Sequence, residues 1–210
     1  MDAARDDSAA ENAPAARLHR LGFFRQFLKA PKELGTCFTS GKGLTKALTS
    51  HMGLESARLV VELGPGSGPL TERILELIPA GATFFTVESN GGLVELLRKR
   101  FPTVTTYHDD ALNVAAIAKR HGAKPGSVDA VVSSLPFLLF DEELQDRMLG
   151  AISKVLRPGG RFSMVTYPPE RLMPSAREFR RRMERYFAKV ERAVFIPTNI
   201  PPAHVYRCTK

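Results

Sequence analysis

A glycine-rich loop follows a short apolar run in the stretch VVELGPGSGPL. Gly64, Gly66 and Gly68, with Pro65 among them, would let the backbone turn sharply and approach a ligand closely. The helix start that follows would offer free backbone N–H groups. Glu62 stands two residues before the first glycine. The spacing is not that of a dinucleotide-binding loop, and no Lys-Ser or Lys-Thr pair follows as in a phosphate loop. The carboxylate therefore suits a cationic or donor-rich ligand better than a diphosphate.

A second acid ends the next apolar run, in the stretch FFTVESN. Glu88 lies 20 residues after Gly68. An acid at the end of the second strand of such a unit typically accepts hydrogen bonds from the two hydroxyls of a ribose. Ser89 and Asn90 follow it and belong to the same candidate site. The competing interpretation is a solvated carboxylate at a strand end.

Two adjacent acids, Asp109 and Asp110, follow the third run and precede Ala111. One of them could accept a hydrogen bond from the amino group of an adenine. The other is equally suited to cap the following helix, because aspartate is a favoured N-cap residue. The sequence leaves open which acid does which.

The fourth run ends in VVSSLPF. Ser133 and Ser134 offer hydroxyls and backbone carbonyls at the place where a substrate amine would meet a cofactor. Pro136 lacks an N–H group and fixes the turn. The competing interpretation is a turn without a chemical role.

These four loops need a sheet that brings them together. From residue 58 onward, strand-like runs alternate with helical patterns, which predicts parallel strands joined by helical crossovers. The last two runs predict an antiparallel edge. The prediction is an α/β, doubly wound, Rossmann-like sheet of seven strands, in which ligands bind beyond the carboxyl ends of the strands. The predicted strands are 58–63, 82–88, 103–108, 128–135, 161–167, 192–196 and 203–209, and the predicted helices are 68–78, 92–101, 112–122, 141–156 and 177–187.

The whole chain has 210 residues and a net charge of +8, with 43% hydrophobic and 25% charged residues. This composition is typical of a soluble globular domain, and no apolar run is long enough to cross a membrane. The positive charge favours an anionic partner, either nucleic acid or the acidic face of a membrane, with an unspecific basic surface as the alternative. Cys37 and Cys208 lie far apart and outside any metal-ligand spacing, so we expect no metal site and a cytoplasmic location.

Three regions follow from composition: a disordered lead-in at 1–16, an amphipathic segment at 17–50 and the main domain at 51–210. In the stretch RLHRLGFFRQFLKA, apolar residues recur at close to helical spacing and Pro31 ends the pattern. This short basic helix could lie flat on anionic lipid or cover the core as a lid, and both can hold in turn. The residues expected to contact the membrane are Arg17, Arg20, Phe23, Phe24, Arg25, Phe27 and Lys29.

Glycines beneath a ligand, with acids for an amine, a ribose and a base, suit the positively charged S-adenosylmethionine better than NAD or ATP. The motifs VVELGPGSGPLT, VESN, DDAL, VVSSLPF, VTYPP and TNIPPAHVYR together resemble class I methyltransferases over about residues 36–210. More narrowly, they resemble the bacterial phospholipid N-methyltransferases, and the last motif is the most specific.

This resemblance implies an enzyme that uses S-adenosylmethionine and releases S-adenosylhomocysteine. It would methylate the amine of phosphatidylethanolamine stepwise toward phosphatidylcholine, bound peripherally at the inner face of the cell membrane. We expect a monomer with no stable nucleic-acid partner. Two groups of substrate contacts are expected. The amine would be held by the Ser134, Leu135 and Pro136 carbonyls and by Tyr167, and the lipid phosphate by Tyr167, Arg171 and His204.

Two rival functions remain at this stage. RNA adenine methyltransferases also have a Pro-aromatic fourth loop, but they begin it with Asn or Asp, where this chain has Ser134. We also expect no helical RNA-binding domain after the sheet. The second rival is a membrane-binding module whose pocket has decayed, against which the intact glycines and acids argue. His204 has the simpler interpretation of an ordinary strand histidine.

Overall fold

A computed structural model describes residues 41–167, 174–199 and 202–210. Its strands are β1 (Leu59–Leu63), β2 (Thr83–Glu88), β3 (Thr105–His108), β4 (Val128–Ser133), β5 (Leu156–Thr166), β6 (Lys189–Ile196) and β7 (Ala203–Thr209). They form one seven-stranded sheet in the order β3-β2-β1-β4-β5-β7-β6. Strands β1 to β5 are parallel, whereas β7 runs antiparallel to β5 and β6. The predicted α/β sheet with an antiparallel edge is confirmed.

Helices cover both faces of this sheet. Those that the structure describes are α1 (Lys42–Thr49), α2 (Pro69–Leu75), α3 (Gly91–Arg100), α4 (Val114–Arg120), α5 (Glu142–Val155) and α6 (Pro174–Glu184). Successive residues of a strand point to opposite faces, and in β1 Val61 packs with α4, α5 and α6 while Val60 packs with α1 and α2. None of the helices in the described part of the chain is long and apolar enough to span a bilayer.

Strand β5 differs from its prediction. It begins at Leu156 directly after α5, whereas the sequence predicts a strand only from Arg161. The pairing with β4 jumps from Val128↔Leu156 to Ala130↔Arg161, so the intervening segment bulges out of the ladder. Backbone hydrogen bonds of Gly159 and Gly160 with Lys210 hold this segment in the sheet. Such a pairing with the distant end of the chain leaves no local sequence pattern.

The sequence predicts the second basic helix at 177–187, whereas in the structure this helix, α6, spans Pro174–Glu184. Its predicted apolar face is confirmed, because Phe179, Met183 and Phe187 are all buried. Phe187 lies beyond the last helical residue and still packs into the core cluster with α5. The helix is thereby fixed on the sheet by its apolar face.

Helix α1 packs on the same body as the sheet. Leu44 and Leu48 are buried, and the Ser163 hydroxyl of β5 donates a hydrogen bond to the Leu48 carbonyl at 2.6 Å. The membrane helix predicted around residues 17–30 lies outside the described residues. The boundary predicted at residue 51 stays a prediction, although α1, just before it, contributes to the core.

Candidate active site

The glycine loop joins β1 to α2, and its glycines have three positive φ angles: 70° at Gly64, 59° at Gly66 and 94° at Gly68. A Cβ atom on Gly64 would lie 2.6 Å from the Leu135 side chain, and one on Gly68 would lie 2.4 Å from Phe101. A Cβ atom on Gly66 would meet nothing within 4 Å. Two of the glycines therefore allow close packing of neighbours, while the middle one leaves an open side that a ligand can approach.

Glu62 lies beneath this loop and is completely buried. Its Oε2 accepts a hydrogen bond from the Thr71 hydroxyl at 2.7 Å, and its Oε1 has no hydrogen-bond partner among the described residues. Burial raises the pKa of the Glu62 carboxyl to about 8. A buried polar atom without a partner is uncommon, and it points to a ligand that supplies the missing donor or positive charge.

Glu88 ends β2 and is 5% exposed. Its Oε2 accepts from the Gly66 N–H at 3.2 Å, and its Oε1 accepts from the Asn90 N–H at 2.9 Å. Asn90 in turn caps α3 through its side-chain oxygen, which accepts from Gly92 and Leu93. Burial raises the pKa of the Glu88 carboxyl, and the backbone hydrogen bonds oppose that rise. Glu88 thus ties the glycine loop to the start of α3, and its carboxylate, which has about four acceptor sites, keeps acceptor capacity for a ligand.

The two acids after β3 have separate structural roles. Asp110 is the N-cap of a short 3₁₀ turn that begins at Ala111, because its Oδ1 accepts from the Leu112 N–H at 2.8 Å. Asp109 Oδ1 accepts from the Asn113 amide at 2.7 Å, and this bond lowers the pKa of the Asp109 carboxyl. The Asp109 N–H donates to the Glu88 carbonyl at 3.1 Å, which places Asp109 beside the second strand end. The cap is therefore Asp110, and Asp109 remains the candidate for the adenine.

His108, which the sequence did not single out, completes this corner. Its ring Nε2 lies 3.1 Å from the Ser89 carbonyl oxygen, and a Cβ atom on Gly91 would lie 3.2 Å from the imidazole. The small residue at position 91 is needed because the imidazole occupies that space. No local pattern could reveal this contact, since the two residues belong to different elements.

The fourth loop is held against the end of β1. The Ser134 N–H donates to the Leu63 carbonyl at 3.1 Å, and buried Ser133 accepts the Leu135 N–H on its hydroxyl at 3.1 Å. The Leu135 and Pro136 carbonyls both accept N–H groups from the short 3₁₀ turn that follows. The Ser134 carbonyl takes no part in that turn. Of the three carbonyls predicted to hold an amine, it is therefore the best placed to accept a new donor.

The predicted lipid contacts lie on the neighbouring strands. Tyr167 follows the last residue of β5, Thr166, which pairs with His204 at the start of β7. Burial raises the pKa of the Tyr167 hydroxyl to about 12. The His204 ring stacks on Phe195 of β6 with ring centroids 4.5 Å apart. Arg171 lies outside the described residues, so its predicted role stays a prediction.

Comparison with known proteins identifies the family. Residues 60–160 match the family model of a methyltransferase domain. An ornithine lipid N-methyltransferase from Singulisphaera acidiphila is 30% identical over 189 residues, which are 89% of this chain and 93% of that protein. This chain is a class I S-adenosylmethionine-dependent methyltransferase. The cofactor predicted from the sequence is therefore confirmed.

Two further comparisons place this methyltransferase among its relatives. A ribosomal RNA small subunit methyltransferase A from Acidobacterium capsulatum is 33% identical over 119 residues, which are 55% of this chain but 40% of that protein. A Burkholderia thailandensis 1,6-didemethyltoxoflavin-N1-methyltransferase, solved with S-adenosylhomocysteine, aligns with a TM-score of 0.63 at 17% identity. That alignment covers 100% of this chain and 93% of the other, and it shows a shared fold.

The described residues of the methyltransferase fit the cofactor. The Glu62 Oε1 atom requires a donor, and the ammonium of the methionine part would supply it. The open side of Gly66 and the remaining lone pairs of Glu88 suit a ribose. When bound, the cofactor supplies a methyl group on a positively charged sulfur. The roles of the individual residues remain predictions.

Two residues that position the fourth loop were missed by the sequence analysis. The Gln145 amide of α5 donates to the Phe137 and Phe140 carbonyls, each at 3.0 Å. Its oxygen accepts from Arg182 of α6 at 2.7 Å, and Arg182 also pairs with Glu142 at 2.6 Å. Both Gln145 and Arg182 are buried. Neither belongs to a motif, and Arg182 is one of several arginines in the basic helix, so the sequence carried no signal for this network.

Proposed function

We propose that this methyltransferase adds methyl groups to the amine of a membrane lipid headgroup. The observation that carries the proposal concerns Ser134: its N–H bonds the Leu63 carbonyl, directly before the glycine loop, and its carbonyl accepts none of the backbone hydrogen bonds of the turn that follows. A backbone carbonyl accepts a hydrogen bond from an amine and so can orient the nitrogen lone pair. The lipid class is supported by the relative named an ornithine lipid N-methyltransferase, which matches nearly the whole chain.

Two headgroups fit this proposal. The sequence resemblance favours phosphatidylethanolamine, methylated stepwise toward phosphatidylcholine. The similarity to an enzyme named for ornithine lipid makes an ornithine headgroup the second candidate. Both present a primary amine and an anionic group, a phosphate in the first and a carboxylate in the second. The chemistry asked of the protein is therefore the same in both cases.

The protein residues have three tasks in this reaction. The fourth loop must align the amine with the methyl group, which is worth several kcal/mol when the reacting atoms are held in line. The half-buried Tyr167 and the apolar Leu135 reduce the access of water to the site. The amine must be neutral to react, and a nearby positive charge favours its neutral form because like charges repel. A dedicated general base is then not required.

We further propose that the reaction takes place at the inner face of the membrane, with the basic segment at 17–30 as the contact. The net charge of +8 supports attraction to an anionic surface. We propose that the protein acts as a monomer and has no stable nucleic-acid partner. The RNA-directed alternative retains support from the similarity to ribosomal RNA methyltransferases, so RNA must be tested as an acceptor alongside lipids.

The test is a methyl-transfer assay with competing substrates. Full-length protein receives S-adenosylmethionine labelled in its methyl group together with vesicles containing phosphatidylethanolamine or ornithine lipid, and in parallel with ribosomal RNA. We expect label in an amine lipid, and mass spectrometry of the lipid products gives the number of methyl groups. Label in RNA alone, or in no acceptor, would overturn the proposal.

A cofactor-site variant controls this assay. Glu88→Gln places an amide N–H against a backbone N–H, and it should weaken cofactor binding by roughly 1.5–3 kcal/mol, the scale of hydrogen bonds to charged groups. Glu95→Gln on α3, where the side chain is exposed, is the matched control. If both variants bind the cofactor equally well, the ribose role of Glu88 is wrong.

A further inference from the structure

An open groove lies between β6 and β7 at the edge of the sheet. It has a volume of about 390 Å³ and is lined by Arg192, Ala193, Val194, Phe195 and His204. His204 pairs with Thr166 at the end of β5 and with Phe195 on the other side. The groove therefore lies near the carboxyl end of β5, the same end of the sheet at which the loops of the candidate active site lie.

A β-bulge creates this groove. Arg192 pairs with Tyr206 and Val194 pairs with Val205, so Ala193 is an extra residue on β6. In a regular strand Arg192 and Phe195 would point to opposite faces, because side chains alternate. The extra residue puts both side chains on the face of the sheet that carries His204. A β-bulge commonly changes the direction of side chains in this way. The bulge at Ala193 therefore places the Arg192 cation and the Phe195 ring on the same face of the sheet.

The chemistry of the groove is that of an amphiphile receptor. Phe195 is 48% exposed and Val194 is 40% exposed, so both side chains leave apolar surface open to solvent beside Arg192. The adjacent acid, Glu191, is paired with Lys189 at 2.9 Å. Within the described residues no carboxylate forms an ion pair with Arg192. The groove therefore offers a cation beside exposed apolar surface, which complements a ligand with an anionic group and a hydrocarbon chain.

The order of the strands gives the distance that such a ligand must span between the fourth loop and the groove. Adjacent strands lie about 4.8 Å apart, so β6, which carries Arg192, lies about 14 Å from β4, where the fourth loop begins, and about 10 Å from β5. An ethanolamine or ornithine headgroup separates its amine from its anionic group by only a few bonds. With the amine over β4 and β5, the anion comes within reach of the long Arg192 side chain, and the hydrocarbon continues along β6.

We propose that this groove binds the anionic group and the first methylenes of the lipid whose amine is methylated. Arg192 contacts the anion, and Phe195, stacked on His204, contacts the chain. This inference rests on the proposed function, and it adds the part of the site that recognises a lipid rather than a free amine.

The test measures binding directly, so that it does not depend on turnover. Full-length protein saturated with S-adenosylhomocysteine is titrated calorimetrically with ethanolamine, phosphoethanolamine, dihexanoyl phosphatidylethanolamine and a short-chain ornithine lipid. Arg192→Gln should bind the anionic ligands about tenfold more weakly and leave ethanolamine unchanged. Phe195→Ser should weaken only the acylated ligands, by about fivefold or more. The two lipids distinguish phosphate from carboxylate as the preferred anion.

Matched controls are available elsewhere on the surface. Lys119→Gln removes an exposed cation from α4, and Leu96→Ser removes a 44% exposed apolar side chain from α3. Equal lipid binding by Arg192→Gln and Lys119→Gln, or no lipid binding by the unmodified protein, overturns the groove. Lipid bound through Arg192 but never methylated leaves the groove standing and overturns the proposed function. If lipid is methylated equally well after Arg192 and Phe195 are replaced, the proposed function stands and the groove proposal is overturned.

Discussion

At the scale of single residues, Glu62 links the cofactor site to stability. Its carboxyl has an ordinary pKa of 4.5, which burial raises to about 8 in the folded protein. Between these values the folded chain keeps a proton that the unfolded chain releases. The stability that depends on this proton is complete below pH 4.5 and is lost as the pH rises through 8. A cationic ligand beside Glu62 would favour the ionised carboxylate and offset part of that loss.

We therefore expect Glu62→Gln to change the pH dependence of unfolding. Because glutamine does not titrate, the variant should gain stability relative to the unmodified protein between pH 5 and pH 9, by about 5 kcal/mol at most. Urea unfolding at several pH values, without cofactor, measures the difference. Glu95→Gln, with an exposed side chain, is the control and should show no such gain. Parallel stability curves for Glu62→Gln and the unmodified protein would contradict the assignment.

At the scale of elements, the fourth loop depends on two helices. Gln145 of α5 holds the carbonyls of Phe137 and Phe140, and Arg182 of α6 holds Gln145. The loop that carries Ser134 is thereby coupled to the position of α6. A buried polar network of this kind fixes geometry well when all of its members are satisfied.

Replacing Gln145 should therefore disturb catalysis more than folding. Gln145→Leu removes the hydrogen bonds that Gln145 makes with Arg182 and with the Phe137 and Phe140 carbonyls, which should lower the free energy of unfolding by about 1–3 kcal/mol. Displacement of the loop should lower kcat by roughly tenfold to a hundredfold, with cofactor affinity unchanged. Ser153→Ala is the control, because the Ser153 hydroxyl bonds the Tyr186 carbonyl after α6 without touching the loop. A kcat loss no larger than that of the control would make Gln145 a structural residue only.

At the scale of the whole molecule, the described residues form one seven-stranded sheet with α1 packed on it. The basic segment predicted at 17–30 precedes this body in the sequence. Its four cations and three phenylalanines are suited to an anionic interface, where each cation near the surface contributes about 1 kcal/mol. Binding to a membrane surface should therefore depend on this segment, whereas binding of the cofactor should not.

Removing residues 1–30 should separate them. We expect the shortened protein to lose at least about tenfold in affinity for anionic vesicles, since several cations are removed. Its cofactor affinity and melting temperature should stay unchanged, because α1 and its buried Leu44 and Leu48 remain. Cosedimentation with vesicles and cofactor titration measure the two affinities, with neutral vesicles as the control. An equal loss of both would mean that the segment is only structural.

Local patterns in the sequence determined much of this protein. The alternation of strand and helix patterns predicted the seven strands and their parallel core, because both periodicities are written into neighbouring residues. The glycine loop and Glu62 predicted a positively charged cofactor, since those features lie within seven consecutive residues. The buried face of α6 was also predicted, from apolar residues four positions apart.

Tertiary structure decided what depends on distant pairing. The bulge in β5 depends on backbone hydrogen bonds to Lys210. The separate roles of Asp109 and Asp110 depend on which side chain reaches the Leu112 N–H. The hydrogen bond between Gln145 and Arg182 joins α5 to α6. The groove at Arg192 exists because Ala193 has no partner on β7. A sequence pattern records the period of its own element and not the register of its neighbour, so these features appear only once the strands are paired.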